Sequence, residues 1–333
     1  MATDLRTALH SIDLLRDLPP AHLEQLAGFA MIRTVRAGET IFCQGEPSPY
    51  CFGILRGEIH IQRVSRDRRQ PPKVLSVLGP GALFGESSFF QESPRAAMAS
   101  AAKDGELVAI LGMKFREWIR TEPSVGVPVL MGMLDRTLGR LQQTSGDLSI
   151  IYTLGRLLGS QKSYADRLAG ALDYLKNALE GVDDMILYQR SSYWDEFEPV
   201  WSTVDLGSVP IVPMASPLAA LAGLPVNQAG VAPAAIELKS AEQREALAHL
   251  QIPFPKVASA TILPLIDQEQ PAHSLQGFLL IVSREDPEAF SANTLLLLTS
   301  IGMQVTEALA RQNRQEDSLA RNRLNESRKS FRL

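Results

Sequence analysis

The chain has 333 residues, 45% of them apolar and 21% charged, which excludes wholesale disorder and fibrous architecture and leaves room for about two domains. Thirty-three basic against 37 acidic residues give a net charge of −4, the wrong balance for a protein built mainly to bind polyphosphate. Two cysteines, Cys43 and Cys51, and five scattered histidines exclude a disulfide framework and offer no zinc-ligand spacing.

The N-terminal residues Met-Ala-Thr-Asp-Leu-Arg lack a basic region followed by a long apolar run, and no stretch reaches about 18 uninterrupted apolar residues. The expectation is a soluble, cytoplasmic protein with no membrane partner. Leu9, Ile12, Leu14 and Leu15, then Leu23 and Leu26 beyond Pro19 and Pro20, predict short helices. From Thr34 to about Ile110 short β-rich runs alternate with glycines. Thr40 to Phe42, Cys51 to Leu55, Ile59 to Val64, Val74 to Leu78 and Leu107 to Leu111 predict the strands of a barrel or sandwich. Helix follows around Phe115, Trp118 and Ile119, and past Pro128 a longer run places Leu130, Leu134, Leu138 and Leu141 on one stripe, resuming at Leu148 and Ile151. That stripe fits either a helix lying on its own barrel or a parallel dimer seam, the latter making the chain a homodimer.

A second block, from about Ser149 to Gln312, reads as helix, strands, helix. Tyr164, Leu168, Leu172, Leu175 and Leu179 mark a helix over Ser163 to Leu179. Met185 to Tyr188, Thr261 to Ile266 and Gly277 to Val282 mark strands, and a closing helix begins near Ser291 as N-cap, with Leu295, Leu298, Ile301, Val305 and Leu309 on one face. The five prolines and many alanines between Gly207 and Ile236 are too irregular for a regular helix and too apolar for a solvated linker, so this segment is expected to fold over a pocket. Residues 311 to 333 carry a local charge of +4 and read as an extension of the last helix, a disordered tail or a docking arm.

The chemistry concentrates in Leu83-Phe84-Gly85-Glu86-Ser87-Ser88, continuing through Arg95-Ala96-Ala97. Glycine at 85 lets backbone approach a ligand, and amides opening a short helix can donate to an anion. Arg95 supplies a planar fork suited to the non-bridging oxygens of a phosphodiester. Glu86 would repel that phosphate, so its expected task is to accept a hydrogen bond from a sugar hydroxyl. Phosphate plus ribose is the ligand such a set fits.

At these residues the sequence resembles the cyclic-nucleotide-binding domain shared by the bacterial catabolite activator family and the regulatory subunits of cyclic-nucleotide-dependent kinases. Phe-Gly-Glu, eight residues, then Arg-Ala-Ala matches its phosphate-binding cassette. Ala37-Gly38-Glu39, Gln44-Gly45-Glu46 and Gly57-Glu58-Ile59 sit where the family has barrel turns, and the resemblance covers about residues 10 to 145. It implies that Phe84, Gly85, Glu86, Ser87 and Ser88 wall the ligand, and that Arg95, Ala96 and Ala97 complete the clamp. It implies cyclic AMP as the ligand, with cyclic GMP as the alternative, because Ala96 stands where a threonine favours guanine. Ser87 departs from the family's usual apolar residue. Thr144 and Ser145 resemble the pair that reads adenine in the catabolite activator, although an ungapped count puts Arg140 and Leu141 there.

No helix-turn-helix pattern follows residue 150, so DNA is not the expected partner. The second block instead resembles a GAF domain, through its first helix, Ile262-Leu263-Pro264-Leu265, Gly277-Phe278-Leu279-Leu280 and the Leu-rich final helix. That resemblance implies a small-molecule ligand of its own or a dimerisation role; no cysteine there can carry a bilin, and His249 or His273 are candidates for haem. The expected fold is mixed α and β. Residues 1–125 form a jelly-roll cyclic-nucleotide-binding domain with flanking helices, 126–162 a connecting dimerisation helix, 163–312 an α+β GAF-like domain and 313–333 a basic helical or disordered tail. No P-loop, nucleophile elbow, zincin or Gly-Gly-Asp-Glu-Phe motif occurs. The expected function is therefore a non-catalytic receptor without a cofactor, signalling through a dimeric helix to an unidentified downstream protein. The alternatives are a transcription regulator of the catabolite activator type with a divergent or missing DNA-binding region, and the regulatory half of an enzyme whose output domain is absent.

Overall fold

The structure, a computed structural model, describes residues 4–47, 49–65, 72–86, 94–191, 193–222, 235–239, 241–248, 254, 256–267 and 275–330. The chain divides into two compact units, 1–143 and 144–333. The boundary falls inside the segment expected to connect two domains.

The first unit opens with α1 (Leu5–His10), capped by the Asp4 carboxylate on the Thr7 amide, and α2 (Pro20–Ala27), which has proline at its first position, where the missing N–H is not needed. Eight strands follow: β1 (Ala30–Val35), β2 (Thr40–Phe42), β3 (Tyr50–Arg56), β4 (Ile59–Arg63), β5 (Lys73–Leu78), β6 (Leu83–Phe84), β7 (Met98–Ala101) and β8 (Gly105–Leu111). They form two four-stranded antiparallel sheets, ordered β1-β8-β3-β6 and β2-β7-β4-β5. Val35, Phe52, Ile54, Phe84, Leu107 and Ala109 of the first sheet share one core with Ile41, Ile59, Ala99 and Ala101 of the second, so the sheets make a sandwich. Gly57 turns β3 into β4 at φ +101°, where a Cβ would lie 2.9 Å from the Gly105 Cα, so only glycine fits.

The outer face of the first sheet is also buried. Cys51, Leu83, Val108 and Ile110 pack under Leu9, Ile12, Leu15, Leu23 and Leu26 of the N-terminal segment. Phe115 and Trp118 of α3 (Gly112–Thr121) and Val129 and Met133 of α4 (Pro123–Leu158) complete that core. Burial on both faces explains why β3 and β8 read as continuous apolar runs rather than alternating ones.

Helix α4 departs from expectation at its start. It begins at Pro123, and Pro128 lies inside it, one main-chain hydrogen bond being given up while the flanking Val129 is buried. The expected stripe is divided, Leu130 packing against the core and the later leucines lying exposed. Val129 and Met133 pack on the sandwich, while Leu134, Leu138 and Leu141 are 48%, 46% and 62% exposed.

The second unit is built on a six-stranded antiparallel sheet. In chain order its strands are β9 (Asp184–Arg190), β10 (Glu196–Ser202), β11 (Val212–Pro213), β12 (Ile236–Glu237), β13 (Ser259–Ile266) and β14 (Leu275–Ser283), and in space they run β11-β10-β9-β14-β13-β12. One face packs Met185, Leu187, Leu263, Leu265, Leu279 and Ile281 against Leu154 of α4, Leu168, Leu172 and Leu175 of α5 (Tyr164–Ala178) and Leu298, Ile301 and Val305 of the terminal helix. The terminal helix spans Ala292–Ser330, capped as expected by the Ser291 hydroxyl on the Thr294 amide, and the basic segment continues it.

The opposite face, with Ile186, Tyr188, Ile262, Phe278 and Leu280, is covered by Val209, Val212, Leu218, Ala219 and Ala222, and by Leu238 and Leu247. The described part of the proline-rich segment, residues 207–222, thus packs on the sheet itself rather than over a pocket. It does contain a short helix, α6 (Pro217–Ala222), which proline can open, and a further helix, α7 (Ala241–Ala248), follows. Residues 223–234, and His249 and His273, lie outside the described residues. An ion pair fastens the sheet: half-exposed Arg284 donates from Nε and Nη2 to the two oxygens of buried Asp184 at 2.7 and 2.9 Å.

Candidate functional site

Strand β6 ends at Phe84, and the chain turns sharply at Gly85, whose φ of +74° lies in the left-handed region. A Cβ there would stand 2.5 Å from Arg95 Nη1, so glycine is required both by the turn and by the arginine beside it. Arg95 itself is held first by its backbone. Its amide donates to the Glu46 carbonyl at 2.9 Å, and the Gly45 amide donates back to the Arg95 carbonyl at 2.8 Å. The Glu46 carboxylate in turn accepts the Cys43 amide at 2.8 Å. The Gln44-Gly45-Glu46 turn therefore anchors the far end of the cassette.

The Arg95 side chain points inward and is only 4% exposed. Nη1 donates to the Gly85 carbonyl at 2.9 Å and Nη2 to the Tyr50 carbonyl. The guanidinium carbon sits 4.0 Å from the centre of the Phe42 ring. Burial pulls its pKa down and Glu86 pushes back; an arginine remains charged, so a desolvated positive charge stands beside Gly85.

Glu86 is turned the other way. Arg140 of α4 donates from Nη2 to its carboxylate at 3.1 Å. The two residues form one edge of a cavity of about 230 Å³, walled by Leu14, Leu78, Ala82, Leu83 and Met133 and closed along α4 by Arg136 and Gly139. Arg136 is tied to Asp13 at 3.4 Å. The cavity is apolar but for its Glu86 and arginine rim, which suits a flat heterocycle attached to a hydroxylated ring. Buried Cys51 is inert: its Sγ lies 3.2 Å from the Phe84 carbonyl, and burial holds its pKa well above the ordinary value.

The expected residues are distributed unevenly. Gly85, Glu86 and Arg95 converge. Ala96 is exposed and Ala97 half-buried beside them, while Ser87 and Ser88 lie outside the described residues. Phe84 is corrected from a ligand wall to a core residue: it is 1% exposed and stacked on Phe52 at 5.4 Å, because the two-residue strand points it into the sandwich. Thr144 and Ser145 are exposed on α4, a turn beyond Arg140, and do not line this cavity; Arg140, the position found by the ungapped count, does. Phe42, Tyr50, Leu14 and Met133 had no signal of their own, since each reads as core in an isolated strand or helix.

Comparison with known proteins finds relatives of the N-terminal part of the chain. The profile of the cyclic nucleotide-binding domain family matches residues 32–122. The chain is 30% identical over 130 residues to the CRP-like cAMP-activated global transcriptional regulator of Mycobacterium tuberculosis, covering 39% of this chain and 57% of that protein. It is 30% identical over 115 residues to a cyclic nucleotide-gated potassium channel of Mesorhizobium japonicum, covering 34% of this chain and 30% of the channel. The crystal structure of the Thermus thermophilus catabolite activator protein aligns with 51% of this chain and 74% of its own at 26% identity, with a TM-score of 0.37. The chain thus spans little more than half of the Mycobacterium tuberculosis regulator and under a third of the channel. Residues 32–122, which include Gly85, Glu86 and Arg95, are thus similar to the cyclic nucleotide-binding domain family.

Proposed function

We propose that the protein is a non-catalytic receptor for cyclic AMP, with cyclic GMP as the weaker alternative, which passes ligand binding along α4 to a GAF-like C-terminal domain. The observation that carries this reading is the cassette turn: buried Arg95, the group for phosphate, bonds the Gly85 carbonyl, and the next residue, Glu86, the group for ribose, stands at the edge of an apolar cavity that could take the base. A ribose hydroxyl that takes Glu86 must compete with Arg140, so ligand arrival bears directly on α4. The switch works only through unequal affinity for two arrangements of that helix. Calorimetric titration with cyclic AMP, cyclic GMP and cyclic dinucleotides tests the reading; no binding to any of them would sink it.

The exposed residues Val127, Met131, Leu134, Leu138, Leu141, Leu148 and Tyr152 follow heptad spacing along α4, which supports a parallel seam between two copies. Leu138→Glu should shift the sedimentation equilibrium from dimer to monomer, and an unchanged dimer would remove the seam. For the C-terminal unit, the strand order β10-β9-β14-β13-β12 with long helices on one face supports the GAF-like reading. A small-molecule ligand there and a downstream protein partner belong to the same proposal. No helix among the described residues is long and apolar enough to cross a membrane.

The Mycobacterium tuberculosis relative's name favours a second reading, a transcription regulator. Phosphate contacts would make DNA binding fall steeply with salt. A gel shift that shows no specific, salt-sensitive complex decides for the receptor.

A further inference from the structure

A buried arginine has many rotatable bonds, and something must fix the plane of its guanidinium before a ligand can find it. The Gly85 and Tyr50 carbonyls fix where Nη1 and Nη2 point. The plane is set by Phe42, whose ring centre is 4.0 Å from the guanidinium carbon. That ring is itself braced, with the Phe52 and Phe84 rings each 6.0 Å away, so it cannot tilt without disturbing the sandwich core. Stacking engages the face of a guanidinium and hydrogen bonding engages its edge, so the ring and a phosphodiester do not compete for the same atoms.

We propose that Phe42 is a positioning residue of the phosphate clamp: its ring holds Arg95 in the plane that receives the phosphodiester and thereby sets the domain's affinity for cyclic nucleotide. The proposal rests on the reading of Gly85, Glu86 and Arg95 as a phosphate and ribose site. It makes affinity depend on a residue 53 positions before Arg95, brought close because the backbone bonds joining Gly45 and Glu46 to Arg95 set the end of β2 beside the cassette.

The test is a mutant cycle on the full chain, read as cyclic AMP affinity by calorimetry. Phe42→Leu should weaken binding by about tenfold, the scale of a desolvated cation–π contact, while Phe42→Tyr, which keeps the ring, should stay within about twofold. In an Arg95→Ala background, Phe42→Leu should cause no further loss, since the partner through which it acts is gone. Should Phe42→Leu fail to fold, Phe42→Met carries the same comparison. Unchanged affinity in the Leu or Met variant, or an equal loss in both backgrounds, would overturn the proposal while leaving the receptor reading intact. Absence of cyclic nucleotide binding by the wild-type chain would overturn the receptor reading and the proposal together.

Discussion

Each half of the chain buries polar groups within its sheet structure, and the two halves treat them differently. In the N-terminal sandwich, Arg95 is 4% exposed and is held by main-chain carbonyls and an aromatic face. In the C-terminal unit, Asp184 is 2% exposed and is neutralised by the two-pronged contact from Arg284. Four residues along the same strand Tyr188 stacks on Phe278 at 4.8 Å, and its buried hydroxyl has no hydrogen-bond partner among the described residues. Burial raises its pKa accordingly. The contrast separates a charge held by carbonyls and an aromatic face from a charge paired with an opposite one and a ring used as filler.

The sharpest way to break this contrast is Arg95→Ala. Loss of a charge-assisted contact should weaken cyclic AMP binding by about 1.5–3 kcal/mol, with thermal unfolding of the C-terminal unit unmoved. Equal affinity in a calorimetric titration would mean that Arg95 is as structural as Asp184. Asp184→Ala should do the reverse, destabilising the C-terminal unit by about 2 kcal/mol in denaturant unfolding, since half-exposed Arg284 can recover water, and leaving nucleotide affinity unchanged. Tyr188→Phe should leave stability unchanged or raise it by up to about 1 kcal/mol, because it removes a buried hydroxyl that lacks a partner. A clear loss would show that the hydroxyl is used.

The smallest effect is one of pH. Hydrogen bonds from the Arg33 side chain and the Arg36 amide hold the Glu39 carboxyl below its ordinary value. Its contribution to stability is therefore complete above the unfolded carboxyl's pKa and disappears as pH falls through the lower folded value. Glu39→Gln should flatten the acid limb of the stability curve slightly, and an identical acid limb would show that this surface pair contributes nothing.

What could be read in advance follows from locality. Gly85, Glu86 and Arg95 are close in sequence, and their chemical types already suggest the proposed phosphate and sugar site. Phe42, Tyr50 and Leu14 join them only through strand pairing and helix packing, which a linear pattern does not contain. Among the strands, β8 and β13 announce themselves because both faces are buried and the runs are apolar. Strand β10 is hidden by Pro199 and its acidic residues, and pairs through a register shift between Pro199 and Trp201. Strand β7, Met98–Ala101, is built of small residues with little β preference. The stripe on α4 was legible as apolar but not as two faces, since the inward positions Val129 and Met133 and the outward Leu134 differ by a fraction of a turn.

Strand β8 has a consequence for how the N-terminal domain responds to any load. Leu107 and Ala109 stand in the core between the sheets, while Val108 and Ile110 stand in the core beneath the helices. A pleated strand is stiff across its own thickness, so a shift imposed on one pair of side chains is delivered to the other pair without passing through a loop or a hinge. The sandwich and its helical cover therefore share a wall, and strain created in one of the two cores has a direct mechanical route to the other.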